Sequence, residues 1–325
     1  MKLPRRQFLQ FAAGAALLPA LPRTAKAQAY PNRPVHMIVP FAPGGGTDII
    51  ARLLGQSLQE RLGQPFIIES RPGAGTNIGT EFVVRAAADG YTLLLVGPPA
   101  AINATLYEKL SFNFMRDIAP VGTIMRSPFV MEVKTSFPAM TIPEFITHAK
   151  ANPGKLSMAS AGIGSGPHVA GELFKMMAGI DMVHVPYRGS APALTDLIGG
   201  HVHAYIDGIP SSIDHIGAGT LRALAVTTAM RSEALPDVPT MGEFLPNYEA
   251  SLWLGVGAPK TTPAEVIETL NMQINATLAA PSFQARLADL GATVFPGSPA
   301  DFAAHIARET IKWQEVVKFS GVRVR

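Results

Sequence analysis

Twice in this chain a short apolar run passes through a glycine-rich turn into an amphipathic segment, at residues 35–62 and 155–177. No other feature restricts the fold as much. A strand that hands over to a helix through glycines is the repeating half of a βαβ unit, and its helices need a sheet to cover. In the first unit, residues 35–41 (VHMIVPF) lie between Pro34 and Pro43 and read as a strand. Gly44, Gly45 and Gly46 form the turn. Thr47 is expected to cap the next helix, with Asp48 in its first turn. Ile50, Leu53, Leu54 and Leu58 keep helical spacing as far as Gly63.

The pattern continues along the chain. Strands are expected at 66–69 and 92–96, around a glycine turn at 71–75 and a helix over 77–88. Gly97-Pro98-Pro99 closes the third strand. A second series starts with a strand at 129–133, a helix at 143–151 and a strand at 155–161. The turn 162–166 then opens a helix carrying Val169, Leu173 and Met177. Further strands are expected at 182–186, 202–207, 221–227 and 252–258, and helices at 263–279, 281–290 and 299–319. The fold class is α/β with parallel-rich sheets and two comparable lobes. Because no Ser/Gly linker separates the lobes, ordinary strands should carry the chain between them. The 325 residues suit about two domains at roughly 100–200 residues each.

The chain has no cysteine, which excludes Cys-ligated zinc, iron–sulfur clusters, thiol nucleophiles and a disulfide scaffold. Its 27 basic and 24 acidic residues give a net charge of +3. Five of the basic groups (Lys2, Arg5, Arg6, Arg23, Lys26) fall within residues 1–27, which contain no acidic residue. That stretch has a basic start, an apolar run at 11–21 and the small-x-small pattern Ala25-Lys26-Ala27. It reads as an export signal of twin-arginine type, cleaved near Ala27, with an ordinary secretory signal as the alternative. Without it, 22 basic face 24 acidic residues and the net charge is −2. The expected product is periplasmic, without a membrane span. With no basic stripe interleaved with aromatics, nucleic acid is not an expected partner.

Each glycine turn ends at a helix N-terminus, where free backbone N–H groups and the positive dipole end favour an anion. The first comprises Ala42, Pro43, Gly44, Gly45, Gly46, Thr47 and Asp48. It lacks the Gly-Lys-Ser/Thr of a phosphate loop, and a plain tight turn is the alternative reading. The second comprises Ser160, Ala161, Gly162, Ile163, Gly164, Ser165, Gly166, Pro167 and His168. Ser165 is the expected N-cap. Pro167 stands where a dinucleotide fingerprint needs its third glycine, and neither turn is a nucleophile elbow. His168 suits either a ligand contact or a satisfied histidine. His201, His203 and Asp207 alternate along one strand, but Asp207 would lie about 13 Å from His203. No metal site and no cofactor are therefore expected. Asp207, at a strand end, is a candidate for a ligand pocket. Trp253 and Trp313 are expected to pack in the core.

The mature chain resembles the periplasmic solute-binding proteins of tripartite tricarboxylate transporters, the Bug family. The likeness is carried by Tyr30-Pro31-Asn32-Arg33-Pro34, by the Phe41-to-Asp48 turn and by Arg71-Pro72-Gly73-Ala74-Gly75. It extends through Asp89-Gly90-Tyr91-Thr92-Leu93-Leu94, Ala151-Asn152-Pro153-Gly154 and Val185-Pro186-Tyr187-Arg188-Gly189-Ser190. Leu235-Pro236-Asp237-Val238-Pro239-Thr240 completes it. The resemblance implies a two-lobed, Venus-flytrap, type II-like periplasmic-binding-protein fold, with lobe one at 28–128 plus 250–325 and lobe two at 129–249. It implies a small organic acid held between the two glycine turns, with Gly97 and Pro98 nearby and Asp207 facing the cleft to help set selectivity. It implies membrane permease subunits as partners, and a monomer without catalytic residues. Gly46 and Gly208, at positions where the family often carries Pro and Asn, together with Pro98-Pro99 and Gly166-Pro167, remove side-chain polarity. They point to a larger or partly apolar acid. The rivals are a secreted α/β enzyme using His168 and Asp207 as an acid–base pair, and a sensor subunit that presents the ligand to a receptor.

Overall fold

The computed structural model describes residues 30–320 and Val324. The export signal and its cleavage near Ala27 fall outside them. The first half of the chain runs β1 (Val35–Val39), α1 (Gly46–Leu62), β2 (Phe66–Ser70), α2 (Asn77–Val84), β3 (Thr92–Val96), α3 (Pro99–Leu106) and α4 (Phe114–Asp117). A long strand, β4 (Ile118–Lys134), follows. Then come α5 (Ile142–Ala151), β5 (Ser157–Ser160), α6 (Gly166–Ala178), β6 (Val183–Pro186), α7 (Ser190–Gly199), β7 (Ala204–Gly208), α8 (Ile209–Gly217) and β8 (Leu221–Val226). The chain closes with β9 (Ser251–Pro259), α9 (Ala264–Leu278), α10 (Pro281–Asp289), β10 (Thr293–Val294) and α11 (Pro299–Ser320).

Local chemistry sets these limits. α1 buries Ile50, Ala51, Leu54 and Leu58 and stops at Gly63. Gly63 adopts φ 70° and donates its amide to Gln59 O, a left-handed cap that other side chains resist. In α6, Ser165 caps the helix by accepting from the His168 amide. In α1 the cap is Gly45 and no side chain closes it. The expectation that Thr47 would cap this helix is thus corrected. The chain enters the helical conformation two residues earlier than that, at Gly46, and Thr47 becomes its second residue.

The strands join in the order β2-β1-β3-β9-β4-β7-β5-β6, with β10 and β8 both attached to β4. The flanks are parallel: β1 pairs with β2 and β3, and β5 pairs with β6 and β7. The centre is antiparallel, because β4 leads away from one flank and β9 returns beside it. β4 changes partner along its length. Residues 118–128 pair with β9, and Phe129 onward pairs with β7. This single strand links the two flanks of an α/β, two-lobed fold. Reading outward from Phe129 missed its first half, because Pro120 and Pro128 interrupt the apolar pattern there. Register shifts beside Pro120 and Thr123 accommodate the irregularity. α7 and α8 were missed as well.

Trp253 and Trp313 are both buried, and their indole N–H groups donate to the same Glu309 Oε2, at 3.2 and 2.9 Å. Phe129, Phe145, Phe174 and Phe302 belong to the same core. A fully buried side chain of this kind contributes about 1.5–3 kcal/mol. A second core lies between β1 and helices α1 and α9, around Met37, Leu54 and Leu270. Among the described residues, no helix is long and apolar enough to cross a membrane.

Candidate functional site

A cleft of about 510 Å³, counting its open mouth, lies between the two flanks. One wall is Phe41, Ala42, Gly45, Gly46 and Thr47, with Gly97, Pro98 and Pro99 after β3. The other is Ala161, Gly166, Pro167, Ser190, Asp207, Gly208 and Ser211. Phe129, Leu252 and Leu254 of the crossing strands form the apolar floor. The lining includes a cap or first-turn residue of α1, α3, α6, α7 and α8. Five helix N-termini thus share one cavity, and each contributes a positive dipole end.

The first turn uses some of its amides and leaves those at the start of α1 without a side-chain cap. Asp48 is buried, and its Oδ2 accepts from the Gly44 amide at 3.0 Å and from Arg52 Nε at 2.9 Å. Its charge is therefore held behind the turn, off the cleft lining. Ala42 N donates across the cleft to Arg188 O at 2.8 Å. The Gly46 and Thr47 amides belong to the first helical turn, which has no intrahelical acceptor for them, and no side-chain cap serves them. Both residues line the cleft.

The second turn satisfies itself. Ser160 Oγ accepts from the Gly162 amide at 3.1 Å and lies 2.6 Å from His184 Nε2. His168 Nδ1 accepts from the Gly164 amide at 3.2 Å, so a neutral ring carries its proton on Nε2. Ser165 Oγ accepts from the His168 amide, and Pro167 has no amide to give. The rings of His168 and His184 stack with centroids 4.2 Å apart. Burial, then the neighbouring His184 and Lys175, push the His168 imidazole down to about 3; burial and Lys175 take His184 down to about 4. Both rings are neutral near pH 7.

Asp207 ends β7 beside the caps of α7 and α8. Its Oδ1 accepts from Ser190 Oγ at 2.7 Å, and its Oδ2 accepts from Ser211 Oγ. Burial raises its carboxyl above the ordinary range, and the two serine hydroxyls oppose that shift.

Of the residues singled out from sequence, Ala42, Gly45, Gly46, Thr47, Gly97, Pro98, Ala161 and Asp207 line this cleft together. Pro43, Gly44, Asp48, Ser160, Gly162, Gly164, Ser165 and His168 are not in its lining; the last five brace the second turn. His168 and Asp207 hold separate partners, Gly164 and His184 for the first, Ser190 and Ser211 for the second. His203 Nδ1 accepts from the Ser157 amide at 3.0 Å. No group of three or more potential metal-ligating side chains occurs among the described residues. Sequence reasoning missed Ser190 and Ser211, which enter through the overlooked α7 and α8. The available signals were Gly189 before Ser190, and Gly208 with Pro210 before Ser211.

Residues 50–322 match the tripartite tricarboxylate transporter family receptor. The chain is 39% identical over 302 residues to protein BugT of Bordetella pertussis, covering 92% of this chain and 93% of BugT. The structure is similar to R. palustris Rpa4515 with adipate, with a TM-score of 0.88 and 38% identity over 90% of this chain and 99% of that one. It is equally similar to the periplasmic binding protein BugD, with a TM-score of 0.88 and 36% identity over 91% of this chain and 100% of BugD. The chain belongs to the tripartite tricarboxylate transporter receptor family, and its fold is that of the two-lobed periplasmic binding proteins.

Proposed function

We propose that this protein captures a small organic acid in the cleft, closes its lobes over it and delivers it to a membrane permease without chemical change. The carrying observation is the convergence of five helix N-termini, with open Gly46 and Thr47 amides, on one cavity. That arrangement suits a carboxylate, and adipate accompanies one relative at 38% identity. The walls and floor also present Phe41, Pro98, Pro99, Phe129, Leu252 and Leu254. An acid with an apolar body, aliphatic or aromatic, suits this lining better than a small polar diacid.

The lobes in this reading are residues 28–128 with 250–325, and 129–249. The hinge lies where β4 exchanges β9 for β7, between Pro128 and Phe129, and where the chain returns into β9. Export with cleavage near Ala27 and a monomeric state complete the proposal.

A thermal-shift and calorimetric screen of adipate, aromatic acids and small polar diacids tests it. At a ligand concentration of about 100 Kd, a matching acid adds about 2.7 kcal/mol to stability. Recovery of the acid unchanged is expected. Stabilisation by small polar diacids alone contradicts the apolar preference, and turnover of the acid favours an enzyme.

A further inference from the structure

A second carboxyl lies behind Asp207. Glu132 of β4 stands opposite Tyr205 of β7 and is fully buried. Its Oε1 lies 2.9 Å from Ser212 Oγ, and the same hydroxyl lies 3.4 Å from Asp207 Oδ2. Its Oε2 is buried without a hydrogen-bond partner. An ionised carboxylate with one donor and an orphaned oxygen is costly in such surroundings. Two ionised carboxylates separated by one hydroxyl are costlier still.

The groups around Glu132 offer no relief. β7 contributes Asp207 and the Tyr205 phenol, α7 contributes Ser190, and α8 contributes Ser212, with His215 a turn further on. β8 places Ala223 opposite, and its Arg222 guanidinium is bound to the carbonyls of Thr135, Phe137 and Ala139. No cation acts on either carboxyl. Burial, then the charge of Asp207, push Glu132 well above the ordinary carboxylate range.

We propose that Glu132 and Asp207 share one proton through Ser212, and that this pair selects which ligand group can face Asp207. Neutral Glu132 donates its O–H to Ser212 Oγ, and the Ser212 hydrogen turns to Asp207 Oδ2. Asp207 keeps its charge and can only accept. It therefore takes a ligand hydroxyl or a protonated carboxyl. An ionised carboxylate placed there must first take one proton from solvent, giving ligand COOH donating to Asp207 COO⁻. The ligand half of this proposal rests on the carboxylate reading above, whereas the shared proton does not.

Infrared spectroscopy of the ligand-free protein tests the pair directly. A protonated-carboxyl C=O band is expected at pH 7, absent in Glu132→Gln. In Asp207→Asn that band should titrate at lower pH, because the neighbouring charge is gone. Absence of the band at pH 7, or its survival in Glu132→Gln, overturns the pair. Should Glu132→Gln not fold, an unmoved titration in Asp207→Asn overturns it equally. Calorimetry with adipate, in two buffers of different protonation heat, tests the ligand half. Uptake of about one proton is expected, with affinity rising about tenfold per pH unit lowered. Binding without proton uptake overturns the selection. Failure of adipate to bind at any pH counts against the carboxylate reading, while the infrared band still decides the pair.

Discussion

The two glycine turns share one plan, strand, glycines, helix, yet side chains take one amide in the first, Gly44, and three in the second. The turn at residues 42–48 has a glycine cap, and no side chain caps the helix at Gly46 and Thr47, which line the cleft. In the turn at 160–168, Ser160, Ser165 and His168 occupy three amides with side chains. A helix N-terminus can hold a ligand only with amides that nothing else has taken. In the proposed function the first turn therefore anchors the anion, and the second serves as a wall. The polar groups facing the first turn come instead from Ser190, Asp207 and Ser211, around α7 and α8.

The sharpest way to break this comparison is to block the first turn. Gly46→Leu puts a side chain where a Cβ already comes within 3.1 Å of the Ser211 amide and 3.2 Å of Pro210 Cβ. The expected loss of acid affinity is about 100-fold, or about 2.7 kcal/mol, with little change in the Tm of the ligand-free protein. Calorimetry and thermal melting measure the two effects, and unimpaired binding would remove the anchor role.

Acid should act on the second turn and spare the first, which has no histidine. His168 and His184 sit at about 3 and about 4 in the fold, below an ordinary 6.5. Through that window the unfolded chain binds more protons, so stability falls as pH drops from about 6.5 towards 3. The Tm should fall by several degrees between pH 7 and 5, and His168→Gln should flatten the slope. An equally steep slope in the variant would assign the acid sensitivity elsewhere.

In the proposed function, closure also brings the first lobe against the second turn at Gly75. This residue has φ 59°, and a Cβ there would sit 2.1 Å from the Ile163 carbonyl oxygen of the second turn. Gly75→Ala should weaken acid binding roughly tenfold, about 1.4 kcal/mol. Small-angle scattering should show that the acid no longer compacts the variant fully. Full compaction would mean that this contact does not govern closure.

The smallest effect is expected from Ser165→Ala. It removes the cap of α6 and should cost about 1 kcal/mol of stability, read by urea unfolding, while acid affinity changes less than threefold. A larger loss of affinity than of stability would make the second turn a ligand site after all.

Much of this architecture was legible before any coordinates. β3 begins and ends where the apolar run of residues 92–96 does, and Gly63 ends α1 as its position suggested. Local signals carry such features because glycine, proline and side-chain period act within a few residues. β4 was less legible, since its length is sustained by pairing with β9 and β7, not by its own pattern. α7 and α8 escaped for a similar reason. Each is a short helix among glycines and prolines, held by what it packs on.

The sequence by itself determined the alternation of strands and helices, the glycine turns and the resemblance that set the expected ligand class. Tertiary structure alone decided which amides are free. That depends on whether a side chain such as His168 or Ser160 swings back onto its own turn. It also decided that Glu132 and Asp207, 75 positions apart in the chain, meet through Ser212. Proximity across antiparallel strands follows from register, and register is fixed by the whole sheet.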